Sequence, residues 1–181
     1  MKDGPDGQDL HLGRFMNTPV EAAELENPVM IERYQFIPDS GGPGKFRGGL
    51  SLRRDIRFHT DVTWARYSDR QKFKPQGLFG GMEGTEGRLL LNPGTDREKV
   101  CRSKGVDTIR AGDVLSIQLP GSGGYGSPWK REPEKVSWDV VNGKVSRESA
   151  ERDYKVVLTD DMEVDIQNTN SLRRDLKSER G

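Results

Sequence analysis

The chain has 181 residues, 31% of them hydrophobic and 32% charged, with 22 Gly and 10 Pro; this length suits one domain with a thin apolar core. Its 29 basic and 29 acidic residues cancel, which excludes the one-sign composition of a disordered chain or a histone-like binder. One cysteine, Cys101, and two histidines, His11 and His59, exclude a disulfide scaffold and a Cys- or His-rich zinc site, and no stretch approaches the roughly 18 apolar residues of a membrane helix.

In chain order, the first signal is Thr18-Pro19-Val20-Glu21. A Thr side chain can cap, Pro suits the first helical position, and Glu three residues on completes a capping box, so a helix is expected to start here and to stop at Asn27-Pro28. The pattern then changes to period two. Leu50, Leu52, Ile56 and Phe58 alternate with Ser51, Arg53, Asp55 and Arg57, which predicts a half-buried strand with the four apolar side chains inward. Residues 29–37, 62–67, 88–91 and 114–119 are further strand candidates, separated by clusters of Gly, Pro, Asp and Asn. Pro133 opens a helix through Val136, Val140 and Val141 that closes at Gly143, and Ser146 caps a second helix that buries Ala150 and Tyr154. The expected fold class is mainly β (α+β): β-sandwich or barrel-like sheets with long Gly/Pro-rich loops and a C-terminal helical hairpin, over residues 1–158. Residues 159–181 have few large apolar side chains and no clear period, and are expected to form a polar tail, mobile or ordered by a partner.

Charge is neutral in sum but uneven in place. Residues 1–40 carry three basic and eight acidic side chains, whereas residues 45–74 carry nine basic ones (Lys45, Arg47, Arg53, Arg54, Arg57, Arg66, Arg70, Lys72 and Lys74) and three acidic. Such a segment can meet phosphate or an acidic partner; the favoured reading is a solvated face that answers the acidic N-terminal part of its own chain.

Three glycine clusters follow strand candidates. The first holds Gly41, Gly42, Gly48 and Gly49 beside Lys45 and Arg47, a composition able to present amides to an anion. No helix N-terminus follows to complete a phosphate cradle, so a turn packing backbone on backbone is expected. The second, with Gly80 and Gly81, lacks the G-K-[ST] ending of a P-loop. The third, Gly121-Ser122-Gly123-Gly124-Tyr125-Gly126, spells G-x-G-x-x-G, but Pro128 follows at once and no helix opens there, which argues against dinucleotide binding. Asp69 and Arg70 are candidates for a buried orienting pair or for substrate contacts. No nucleophile has an evident base, and the acidic second helix of the hairpin (Glu148, Glu151, Asp153) is wrong for a DNA groove.

In this order the motifs resemble one family. They are DGPDGQDLH and MNTPVEAAE within residues 3–24, ERYQFIPDSGGPGKFRGGLSLRRD at 32–55, YSDRQKFKPQGLFGGMEG at 67–84, AGDVLSIQLPGSGGYGSPWKREPEKV at 111–136 and DVVNGKVSRESAERDYKVVL at 139–158. Together they are similar to the C-terminal third of hydantoinase B subunits, a region shared with the C-terminal half of 5-oxoprolinase and with acetone and acetophenone carboxylase subunits. The family commonly has an acid where this chain has Ser127.

The resemblance implies a small accessory subunit of an ATP-dependent hydantoinase/oxoprolinase-type amidohydrolase or ketone carboxylase complex, not catalytic alone; a cytoplasmic location is expected separately, because MKDGPDGQDLH has no apolar signal-peptide core and the single cysteine agrees with a reducing compartment. The partners implied are a hydantoinase A-like ATP-binding subunit and the remaining N-terminal part of a B-like subunit. ATP and a divalent metal are expected in those partners and no cofactor or metal on this chain. Catalytic residues stay unassigned. Asp39, Arg47, Asp69, Arg70 and Tyr125 are the candidate substrate or intermediate contacts, with Gly41, Gly42, Gly48, Gly49, Gly80, Gly81, Gly123, Gly124 and Gly126 as loop glycines expected to lie together. The alternative is a self-sufficient small-anion-binding module that uses the basic segment, with Arg47 and Arg70 as its contacts; an independent metal-dependent hydrolase is a remote third.

Overall fold

The computed structural model describes residues 1–7 and 17–178. His11, part of the two N-terminal motifs and residues 179–181 of the expected tail lie outside the described residues.

The described chain runs α1 (Val20–Glu26), β1 (Val29–Phe36), β2 (Leu52–Phe58), β3 (Val62–Tyr67), β4 (Arg88–Leu91), β5 (Lys99–Val100), β6 (Lys104–Ile109), β7 (Val114–Gln118), a 3-10 turn (Pro128–Lys130), α2 (Pro133–Val141), α3 (Arg147–Arg152) and α4 (Ile166–Ser178). Helix α1 begins one position later than its capping signal implies. Pro19 occupies the cap, no side chain caps the helix, and Asn27 ends it as expected.

Five strands form an antiparallel sheet in the order β1-β2-β7-β4-β5, and β3 pairs with β6 in a separate ribbon. The sheets stay open, so the barrel-like alternative gives way to an open sheet plus a ribbon. The ribbon continues the β2–β7 pair beyond a break. There Phe58 N–H donates to the Asp113 carbonyl at 3.0 Å, Gly112 N–H returns to the Phe58 carbonyl at 2.7 Å, and Asp61 accepts from Ala111 N–H at 2.8 Å. β5 and β6 carry no sequence signal, because KGVDTI places Gly and Asp among its few apolar residues and only Ile109 is buried.

β2 departs from its predicted facing. Ser51 and Asp55, expected outward, are buried, whereas Leu52, Ile56 and Phe58 are only half-buried. Alternation assumes one wet face, but every position of β2 is buried or half-buried, on both faces of the sheet. The carboxylate of Asp55 is carried inward because Arg53 grips it, with Nε at 2.9 Å and Nη2 at 2.8 Å, and buried Ser116 is its cross-strand partner.

The second core is helical. Val136, Val145, Ala150, Tyr154, Val156 and Leu158 pack together, with Val140, Met162 and Val164 against them. Ser146 accepts from Ser149 N–H at 3.0 Å, the predicted cap, and Gly143 turns the hairpin at φ +66°. Past Leu158 the sequence showed no clear period, yet the chain turns back and forms α4. Thr169 is 2% exposed, and its hydroxyl accepts from Val157 N–H at 3.0 Å. No described helix is long and apolar enough to cross a membrane.

Candidate functional site

The three glycine clusters lie together and are joined by main-chain hydrogen bonds. Gly42 N–H donates to the Ser122 carbonyl (2.7 Å), Met82 N–H to Pro43 (2.7 Å), Gly124 N–H to Met82 (2.9 Å), Leu78 N–H to Gly124 (2.9 Å) and Gly126 N–H to Leu78 (2.9 Å). Phe46 and Tyr125 exchange both main-chain bonds, at 3.0 and 2.9 Å. Here glycine supplies space. A Cβ on Gly48 would overlap the Ser122 carbonyl, and one on Gly121 would overlap the Ser40 carbonyl, although neither residue has a left-handed φ. Backbone packs where side chains normally would, which accounts for the low apolar content.

This interlock carries an aromatic crest. The Tyr125 ring lies 5.0 Å from Phe79 and 6.2 Å from Phe46, centroid to centroid. Phe79 is 77% exposed, Leu78 beside it 60%, and Phe73 upstream 78%. Between the N-terminal residues and the first and third loops lies a cleft of about 280 Å³, lined by Met1, Lys2, Phe46, Ser122 and Tyr125 among others.

Under the loops sits a buried ion cluster that sequence reading missed. The guanidinium of Arg131 spans the Asp3 carboxylate (2.6 and 2.8 Å) and reaches Asp139 at 2.7 Å. Arg47 holds Asp6 at 3.0 Å and points Nε at Asp139 from 3.5 Å, while Lys144 takes the other Asp6 oxygen at 2.9 Å. Arg47, Arg131 and Asp139 are each 1–2% exposed. Three carboxylates balance three cations, the arrangement that buried charge requires. Burial opposes ionisation of Asp6, but hydrogen bonds from Arg47, Lys144 and Leu50 N–H outweigh it and hold its carboxyl at about 2. Burial pushes the Asp139 carboxyl up, against the pull of both arginines, and pushes the Tyr154 hydroxyl well above its usual range. The cluster pins residues 3–6 to the first glycine loop and to the helical hairpin. Its only sign in the sequence is the acidic DGPDG opening.

The predicted contacts divide accordingly. Arg47 is committed to Asp6 and to the Gly48 carbonyl at 2.6 Å. Asp39, at φ +59°, accepts from Ser146 N–H at 2.8 Å and donates its own N–H to the Lys144 carbonyl at 3.0 Å, stapling the first loop to the hairpin. Tyr125 stands at the crest. Asp69 and Arg70 are exposed rather than a buried pair, because they fall in irregular chain just past the outer ribbon strand β3. Much of the basic segment is answered by its own chain, only in part by the acidic N-terminal residues: Arg47 pairs with Asp6 and Arg57 with Glu32, whereas Arg53 pairs with Asp55, Arg66 with Asp107 and Lys74 with Glu83. Cys101 is buried and its thiol pushed up by that burial, as an ordinary core residue would be; His59 is exposed. Among the described residues no group of His, Cys, Asp or Glu gathers to hold a metal ion.

With this geometry in view, residues 1–128 match the hydantoinase B/oxoprolinase family. The B subunit of a putative D-/L-hydantoinase of Pseudomonas sp. is 35% identical, over 96% of this chain and 30% of the relative. The beta subunit of the caprolactamase of Pseudomonas jessenii is 31% identical, over 89% of this chain and 29% of the relative. The ATP-dependent caprolactamase structure from Pseudomonas jessenii superposes with a TM-score of 0.78 at 28% identity, over 88% of this chain and 28% of that one. The nucleotide-free acetone carboxylase structure gives 0.81 at 21% identity, over 99% and 29%, a likeness of fold. This chain thus spans about 30% of the length of these two relatives. The chain belongs to the hydantoinase B/oxoprolinase family.

Proposed function

We propose that this chain forms the C-terminal portion of a B-type subunit in an ATP-dependent complex that opens cyclic amides or carboxylates ketones, and that it serves there as an accessory element without catalysis of its own. The observation that carries this reading is coverage. Nearly all of this chain corresponds to under a third of much larger relatives with that kind of chemistry in their names.

The partners are a hydantoinase A-like subunit, which would use ATP to phosphorylate a carbonyl or amide oxygen, and the remaining part of a B-like subunit, which would receive the activated intermediate. ATP and a divalent metal belong to those partners in this reading. An activated phosphate ester must be kept from water. The glycine interlock suits that task because its loops are joined to one another by short main-chain hydrogen bonds. Tyr125 and the crest around it would face the partner or the intermediate. Arg47 and Asp39 would act by holding the loops in place, since the buried Arg47 guanidinium donates to Asp6 and to the Gly48 carbonyl and the Asp39 carboxylate accepts from Ser146 N–H.

The test is affinity purification of the tagged chain from its host, followed by native mass measurement and an assay of ATP hydrolysis with a hydantoin, a lactam and a ketone. Recovery with A-like and B-like partners, and ATP hydrolysis that one of these substrates stimulates, is the expected result. Recovery as a folded monomer overturns the reading.

A further inference from the structure

Residues three and four apart share one face of a helix, so α4 presents Asn170, Arg173 and Arg174 together. That face and the 3-10 turn enclose a cleft of about 410 Å³ lined by Trp129, Lys130, Asn170, Arg173 and Arg174. The volume lies in the range of small-molecule sites. Among the described residues, three of the five that line it are cations and none is a carboxylate.

Arg173 is set in place before any ligand arrives. Its Nη2 donates to the carbonyls of Arg131 (3.0 Å) and Tyr154 (3.1 Å), and its Nε to that of Lys155 (3.3 Å). Neutral carbonyls orient a guanidinium without cancelling its charge. Burial accordingly pushes the Arg173 pKa below its ordinary value, with only exposed Glu134 acting the other way. None of the ion pairs among the described residues uses Lys130, Arg173 or Arg174. In this they differ from most of the 45–74 basic segment. Three cations lining one cleft, none of them in an ion pair among the described residues, repel one another, and a multiply charged anion relieves that repulsion. The fork of arginine donors fits phosphate oxygens, and an indole offers a flat wall to the rest of a ligand.

We propose that this cleft binds a phosphate-bearing small molecule, with Lys130, Arg173 and Arg174 on its phosphate oxygens and Trp129 against the remainder. The site uses none of the glycine-crest residues and stands whether or not the accessory-subunit reading holds.

The test is calorimetric titration of the protein in the form in which it is isolated, alone or with partners, using pyrophosphate and ADP as probes. Both probes are expected to bind, with affinity falling as salt is raised. Lys130→Ala and Arg174→Ala, both at exposed positions, should each weaken binding about tenfold and leave the circular dichroism spectrum unchanged. Arg110→Ala, an exposed cation elsewhere, is the control and should leave binding intact. Equal affinity for the two probes identifies a ligand read by its phosphates alone, and tighter ADP binding identifies one whose ring lies on Trp129; either supports the proposal. Absence of binding by both probes, or a loss in Arg110→Ala equal to that in the cleft variants, overturns it.

Discussion

At the scale of single residues, the glycines divide into two kinds with different costs of substitution. Gly48 is needed for room, since a Cβ would meet the Ser122 main chain, and a main chain bonded on both sides cannot step aside. Gly94 is needed for conformation alone, with φ +74° and open space around it. Gly48→Ala should therefore destabilise by about 3 kcal/mol or more, as overpacking against an unyielding wall does, and Gly94→Ala by only about 1 kcal/mol. Denaturant midpoints of the two variants, measured in the same assembled form, check the contrast; equal losses would remove the argument for close packing. Composition showed that glycine was abundant, but which glycines are crowded depends on neighbours some 70 residues away in the chain.

Asp6 supplies the pH dependence. Its carboxyl lies at about 2, below its ordinary value of 3.8, so the unfolded chain binds a proton more readily than the folded one. The stabilisation is thus fully present above about pH 4 and is lost as pH falls toward 2. Asp6→Asn should be less stable at neutral pH and should lose less stability over that acid window than the parent chain, as read from unfolding midpoints across pH. An acid profile unchanged by Asp6→Asn would contradict this assignment.

At the scale of elements, the helical hairpin was the most legible part. Pro133, Gly143 and Ser146 act through local geometry, and each stands where its signal placed it. Ser146→Ala should cost about 1 kcal/mol through loss of the cap to Ser149 N–H, measurable as a lowered unfolding midpoint. β2 was legible in extent but not in facing, because alternation reports one wet face and this strand is covered from both sides around Asp55 and Ser51. β5 and β6 were missed because pairing partners, not their own side chains, make them strands. The segment after Leu158 was read from its weak period, whereas α4 is held by a buried Thr169 and by Arg173 reaching three main-chain carbonyls.

At the scale of the whole molecule, the apolar supply is small and part of it is exposed. Phe73, Leu78, Phe79 and Tyr67 are all at least 60% exposed, apolar area that folding of this chain alone does not bury. The chain alone should therefore lack a sharp cooperative thermal transition and gain one when assembled with partner subunits. Scanning calorimetry of both forms tests this, and a sharp two-state melt of the isolated chain would count against a partner-dependent fold.

The sequence by itself determined the kinship, the β-rich class, most element positions and the presence of three glycine loops, because these rest on local residue preferences and on ordered motifs. Tertiary structure decided which charges meet. Arg47 looked available for an anion when read beside Lys45 and the glycines. In the fold it lies between Asp6 and Asp139, residues distant on either side of it in the chain. Charge pairing acts through space at a few ångströms, and a linear string of residues does not contain those distances until the backbone has closed.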